Sequence, residues 1–223
     1  EVEQKSPTTA DYLEKLKALC KAVGGEPTPF YALLRMDGDK MGEKLRECKD
    51  KAELSRRLGK FTSKVEKIVR KQDGVTIFSG GEDVLALLPA RKAFKAARKL
   101  RERFDEIFTE AALGQEKGKP FMTISAGIVF ANFSDPLMDV MNVSWEMLKK
   151  WAKDEAGRDA VAACVLKGGA VSQIWANKWK KLKRLEKFLK SYIKSMDKTP
   201  EVSSQMLYRF RELLIRLASD WSD

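Results

Sequence analysis

The sequence predicts an α+β protein: an antiparallel sheet with helices packed on one face, followed by a small helical module at the C-terminal end. Three observations lead there. Apolar runs and helical-period stretches follow one another in the order strand, helix, hairpin, helix, strand, helix, strand. Two of the runs are joined by Gly80-Gly81-Glu82-Asp83, a hairpin connection. After Trp175 the composition turns strongly basic while keeping a helical period, which places a boundary there and gives two units, 1–175 and 176–223.

Each element has its own reason. From Tyr12 to Val23, apolar residues recur at helical spacing and stop at Gly24-Gly25. "FYALLRM" (Phe30 to Met36) is a short apolar run of strand length, ending in the turn-forming cluster "DGDKMG". Glu43 to about Lys71 is helical in one or two pieces. "DGVTIFS" and "DVLALLP" make the hairpin, closed by Pro89. Arg91 to about Leu113 is amphipathic, with Phe94, Ala97, Leu100, Phe104 and Phe108 on one face. "FMTISAGIVFA" is the clearest strand, Pro136 opens a helix reaching about Asp154, and "RDAVAACVLKGG" adds a further strand. This order matches a ferredoxin-like core with additions. Beyond Trp175, "NKWKKLKRLEKFLKSYIKSMDK" reads as a basic amphipathic helix and "VSSQMLYRFRELLIRLASDW" as a second one.

The 223 residues suffice for a substantial core. No stretch approaches the roughly 20 apolar residues that cross a bilayer, and the acidic, polar start is not that of a signal peptide, so a cytoplasmic protein without membrane attachment is expected. A net charge of +11 favours polyanionic partners, although a solvated, salt-tolerant surface accounts for it equally well. Cys20, Cys48 and Cys164 are widely spaced and read as free thiols in a reducing compartment. The chain has no histidine. That removes imidazole triads, histidine zinc sites and HD-type phosphohydrolase chemistry, leaving carboxylates, lysines, arginines and metal ions as the available means.

The acids stand out against that background. In a ferredoxin-like sheet the first strand neighbours the central hairpin, which would bring Asp37 close to Glu82 and Asp83. Three carboxylates gathered at a sheet edge repel one another, and a hard divalent cation such as Mg²⁺ or Mn²⁺ removes the penalty. Gly80 and Gly81, lacking Cβ, would let the chain turn tightly and admit a phosphate or base. A plain hairpin turn, with Asp37-Gly38-Asp39 as a helix-capping turn, is the other reading of the same residues.

"LLRMDGDKMGEKL" and "IFSGGEDVLALLPA" closely resemble the catalytic palm of the large polymerase subunit of type III CRISPR effector complexes, especially the Cmr type, a palm related to GGDEF diguanylate cyclases. "FMTISAGIVFA" is similar to the family strand after the long helix, and "WAKDEAGRDAVA" to its A-K-x-x-G-R-N segment. The resemblance spans about residues 28 to 170. It implies conversion of ATP to cyclic oligoadenylates by two-metal phosphoryl transfer, the 3′-hydroxyl of one ATP attacking the α-phosphorus of another. It further implies Asp37, Asp83, Glu82 and the Gly38 carbonyl as metal ligands, Lys153 and Arg158 as triphosphate ligands, and Asp39 as support for the loop. A surface helix end is the alternative for Lys153 and Arg158. The family's G-G-D-D reads G-G-E-D here. The family subunit is much longer and forms its site between two palms, so the expected partners are a second palm, by self-association or otherwise, and other effector subunits with guide and target RNA. The basic tail resembles the family's C-terminal helical domain. An inactive palm serving as a nucleotide- or RNA-binding or assembly module is one alternative; a cyclic-dinucleotide synthase is another.

Overall fold

The structure, a computed structural model, describes residues 9–23, 28–109 and 120–182. It contains α1 (Thr9–Val23), β1 (Phe30–Gly38), α2 (Met41–Glu47), α3 (Lys51–Arg70), the hairpin β2 (Val75–Gly80) and β3 (Asp83–Pro89), α4 (Ala93–Thr109), β4 (Ile124–Asn132), α5 (Leu137–Glu146), β5 (Ala160–Lys167) and β6 (Ala170–Lys178). A π-helical segment, Met147–Glu155, continues α5. The strands form one sheet in the order β2-β3-β1-β4-β5-β6.

Local chemistry sets the boundaries. Asp50 caps α3 by accepting from the Glu53 backbone N–H at 2.8 Å, with the acid three residues on that a capping box favours. Gly81 turns the hairpin at φ +61°, and Gly80 pairs with Asp83 around a two-residue loop. That is the hairpin type whose first central residue is glycine.

The four strands β2-β3-β1-β4 pair antiparallel throughout, the ferredoxin-like core expected from the sequence. Helices α3 and α4 cover one face, where Leu34, Met36, Phe61, Leu100, Phe104 and Ile128 are fully buried. Phe61 meets Phe104 edge-on at 5.0 Å between ring centres.

Two features depart from a one-sided antiparallel sheet. β4 and β5 pair parallel, joined by α5 and the π-helical segment. That connection covers the opposite face, over a second cluster containing Leu33, Val129, Val140, Met147 and Ala162. The reason lies in β4 and β5 themselves: Ile124 to Ala131 and Ala160 to Leu166 are buried at every position, as strands covered on both sides must be.

The sheet also continues past the compositional boundary. Residue 175 falls inside β6, and Trp175, Trp179 and Leu182 are buried in the core beneath α4 and β4. Trp179 Nε1 donates to the Ile124 carbonyl at 2.8 Å. A basic, helix-like composition was misleading there because the apolar residues that decide the strand are few and large. The two tail helices expected beyond residue 182 lie outside the described residues. Among the described residues no helix is long and apolar enough to cross a membrane. Cys48 and Cys164 are buried free thiols, and burial pushes Cys164 up to about 12.

Candidate active site

β1 runs through Asp37 and Gly38, so these residues belong to a strand rather than to a turn. Strand alternation sets Leu33, Arg35 and Asp37 toward α5 and the π-helical segment, and Leu34 and Met36 toward α3 and α4. The β1–β3 register pairs Arg35 with Leu85 and Met36 with Val84. Continued by one residue, this register sets Asp37 opposite Asp83, and the turn between β2 and β3 brings Glu82 against Gly38. The acidic pair of the hairpin is thereby split. Asp83 shares a face with Asp37, while Glu82 lies over Gly38, where an added Cβ would come within 2.9 Å of Glu82 Cβ and Cγ.

The expected gathering of three carboxylates is thus reduced to two, and no group of three Asp, Glu or Cys side chains is assembled to hold a metal among the described residues. Electrostatics still couples the three. Burial and then the charge of Asp37 raise the Asp83 carboxyl above its usual range. Glu82 is raised as well, first by burial and then by Asp83 and Asp37.

Asp39 has a different occupation. It is 4% exposed and accepts from Thr123 Oγ1 at 2.8 Å, Ser125 Oγ at 2.8 Å and the Asp159 backbone N–H at 2.9 Å. Each of its oxygens is committed to tying the end of β1 to β4 and to the loop before β5.

Lys153 comes to the acids from the π-helical segment. Its ammonium, 7% exposed overall, donates to Asp37 Oδ2 at 2.6 Å and to the Gly38 carbonyl at 2.9 Å. A carboxylate and a carbonyl thus already converge on one cation. These hard oxygens, with Asp83 across the strand, suit a Mg²⁺ or Mn²⁺ ion that takes one or two carboxylates and completes its shell with water or phosphate oxygens. Arg158 makes no ion pair with these acids among the described residues. It lies beyond the π-helical segment at φ +62°, its carbonyl accepting from Lys178 Nζ at 2.6 Å. Its Nε is buried without a hydrogen-bond partner among the described residues.

Other neighbours of the pair were not singled out from the sequence. Arg35 donates from Nε to Ser144 Oγ at 3.0 Å and lies 5.3 Å from the centre of the Trp145 ring. Lys149 Nζ is 4.0 Å from Asp37 Oδ2 and 4.7 Å from the same ring centre. The i, i+4, i+8 spacing of Trp145, Lys149 and Lys153 was the available signal. Gly127 permits the arrangement: a Cβ there would lie 2.7 Å from the Leu148 nitrogen and 2.8 Å from the Ser144 carbonyl, so only glycine lets this helix rest so close on β4. π-helical turns recur at functional sites, which this one adjoins.

A family model described as Cas10/Cmr2, second palm domain, matches residues 30–162. The chain belongs to that family. The chain is 27% identical over 253 residues to the CRISPR system Cmr subunit Cmr2 of Pyrococcus furiosus, an alignment covering 93% of this chain and 28% of the relative. The chain therefore spans little more than a quarter of that curated relative. Among solved structures it resembles the apo state of a type III-B Cmr-beta complex (TM-score 0.56, 13% identity, 92% of this chain and 34% of that one). It also resembles a Csm1–Csm4 cassette in complex with cA4 (TM-score 0.55, 17% identity, 70% and 24%). At these identities the structural likeness shows the fold. The palm so identified is the second of its family, a distinction the sequence motifs had not drawn.

Proposed function

We propose that this palm supplies a nucleotidyl-transfer site of a type III CRISPR effector, converting ATP to cyclic oligoadenylate. The observation that carries the reading is the cross-strand placement of Asp37 and Asp83, with the Lys153 ammonium held by Asp37 and the Gly38 carbonyl. Asp37, Asp83 and that carbonyl would hold Mg²⁺ or Mn²⁺, which when bound supplies charge neutralisation at the transferring phosphoryl group. The chain's own residues do the remainder. Lys153 offsets the acids' charge from within the fold. Among the described residues nothing lies within 4 Å of where a Gly81 Cβ would stand, which leaves room at the hairpin for a nucleotide. That the related Csm1–Csm4 cassette is described in complex with cA4 supports the choice of product. Partners follow the same family logic: a second palm to complete the site, and effector subunits carrying guide and target RNA.

One observation favours a second reading. With Glu82 turned over Gly38, the hairpin offers one acid to the site instead of two, which suits an inactive palm retained for nucleotide or RNA binding and assembly. The chain incubated with labelled ATP and Mg²⁺ or Mn²⁺, alone and with its effector subunits, guide and target RNA, separates the two. Cyclic oligoadenylate that disappears in Asp37→Asn and Asp83→Asn supports the enzyme. No oligomeric product under any of these conditions overturns it, and preference for labelled GTP would make the product a cyclic dinucleotide instead.

A further inference from the structure

We propose that Arg35 and Lys149, positioned by Trp145, form a subsite for the phosphate chain of a nucleotide beside the Asp37–Asp83 pair. The inference rests on the nucleotide reading of that pair and adds ligands to it. Lys153, the cation the sequence singled out, is 7% exposed and committed to Asp37 and the Gly38 carbonyl. Arg158 makes no ion pair with these acids among the described residues, and its carbonyl accepts from Lys178 Nζ. Two further cations stand beside the carboxylates among the described residues, Arg35 on β1 and Lys149 on the π-helical segment.

Their surroundings fit anion capture. Lys149 has a side-chain exposure of 47% and, among the described residues, makes no contact to an acid closer than its 4.0 Å approach to Asp37. Arg35 uses Nε on Ser144, and Ser144 in turn donates to the Met141 carbonyl at 2.7 Å, so the guanidinium is held from one side while its two terminal nitrogens make no hydrogen bond among the described residues. A guanidinium fixed in this way presents a planar pair of donors that matches phosphate oxygens. Trp145 stands half-exposed within cation–π range of both groups. Arg35 and Asp37 are two residues apart on one face of β1, and Lys149 and Lys153 are four apart above them. A phosphate chain lying along Arg35 and Lys149 would thus have its reacting end at Asp37 and Asp83.

Calorimetric titration of the full chain in EDTA, with ATP, inorganic tripolyphosphate and adenosine as separate titrants, tests this without turnover. ATP and tripolyphosphate should bind and adenosine should not. Lys149→Gln, on an exposed side chain, should weaken both by about tenfold or more, as loss of a charged hydrogen bond does. Arg35→Gln should act in the same direction, Lys149→Arg should retain binding, and Trp145→Phe should retain more than Trp145→Ala. Wild-type affinity in Lys149→Gln and in a folded Arg35→Gln overturns the subsite, as does binding of adenosine in place of tripolyphosphate. The two proposals fail separately. Turnover dependent on Asp37 with affinities indifferent to Lys149 and Arg35 leaves the enzyme and removes the subsite; Lys149-dependent binding without turnover in the assembled complex does the reverse.

Discussion

Lys153 Nζ lies 2.6 Å from Asp37 Oδ2, so the carboxylate that ends β1 carries a built-in counter-cation drawn from a segment more than a hundred residues away in sequence. The same ammonium reaches the Gly38 carbonyl. One buried lysine thus ties Asp37 and the Gly38 backbone to the π-helical segment.

Removing that ammonium should expose the cost it offsets. Lys153→Met leaves Asp37 and the Gly38 carbonyl without their donor and should destabilise the chain by about 1–3 kcal/mol, below the value for a fully buried pair because Asp37 keeps some solvent. Mg²⁺ or Mn²⁺ should then raise the melting temperature of Lys153→Met more than that of the wild type, since the ion takes over the vacated oxygens. Equal shifts in the two proteins would show that the oxygens do not form a divalent site.

Asp37 and Asp39, two residues apart, should behave oppositely when neutralised or truncated. Asp39→Ala strands the donors of Thr123, Ser125 and Asp159 in a buried position and should cost about 2–4 kcal/mol, read as a fall in the midpoint of urea unfolding. Asp37→Asn keeps an acceptor for Lys153 and should leave the midpoint much closer to wild type while abolishing turnover. Similar midpoints for the two variants would contradict the division of labour.

The raised carboxyls of Glu82 and Asp83 carry a pH signature. A carboxyl whose folded pKa lies above its unfolded value, near 4.5 for Glu82 and 3.8 for Asp83, binds its proton more tightly when folded. Its contribution to stability is present below those values and lost as pH rises through the folded pKa. The Glu82→Gln/Asp83→Asn variant should therefore gain stability relative to wild type as pH climbs from about 4 toward neutrality. Thermal melts over that range check the sign; a difference that shrinks with rising pH would contradict it.

Gly127 fixes the height of the helix over β4. Gly127→Ala forces Cβ against the Leu148 nitrogen and the Ser144 carbonyl, both backbone atoms that yield only if the helix shifts. The expected loss is about 1–3 kcal/mol, read as a lower melting temperature. Because Ser144, Lys149 and Lys153 ride on that helix, tripolyphosphate binding should weaken in the same variant. A melting temperature unchanged from wild type would mean that the packing at β4 is looser than these distances.

Much of this was legible in the chain. The order of elements, the hairpin at Gly80-Gly81, the amphipathic face of α4 and the strand at 124–132 follow from periodicity and turn chemistry, which are local. So does the interest of Asp37 and Asp83, since acids between apolar runs are visible without a fold; Lys153 was reached only through the resemblance of its segment to the family's A-K-x-x-G-R-N motif. The face on which each acid stands was not. Alternation fixes sides within one strand, but which residue of β3 lies opposite Asp37 depends on the β1–β3 register, and that register separates Glu82 from Asp83.

The contributions of Arg35, Ser144, Trp145 and Lys149 were hidden for the same reason. Their meeting is set by the distance between a helix and a sheet, through a glycine on a third element; the chain itself shows only the helical spacing of Trp145 and Lys149, and nothing that brings Arg35 to them. β6 was missed because its neighbours in sequence are lysines, while Trp175 and Trp179 find their partners in α4 and β4. Short-range spacing decided what the elements are; long-range packing alone decided which charges they bring within reach of one another.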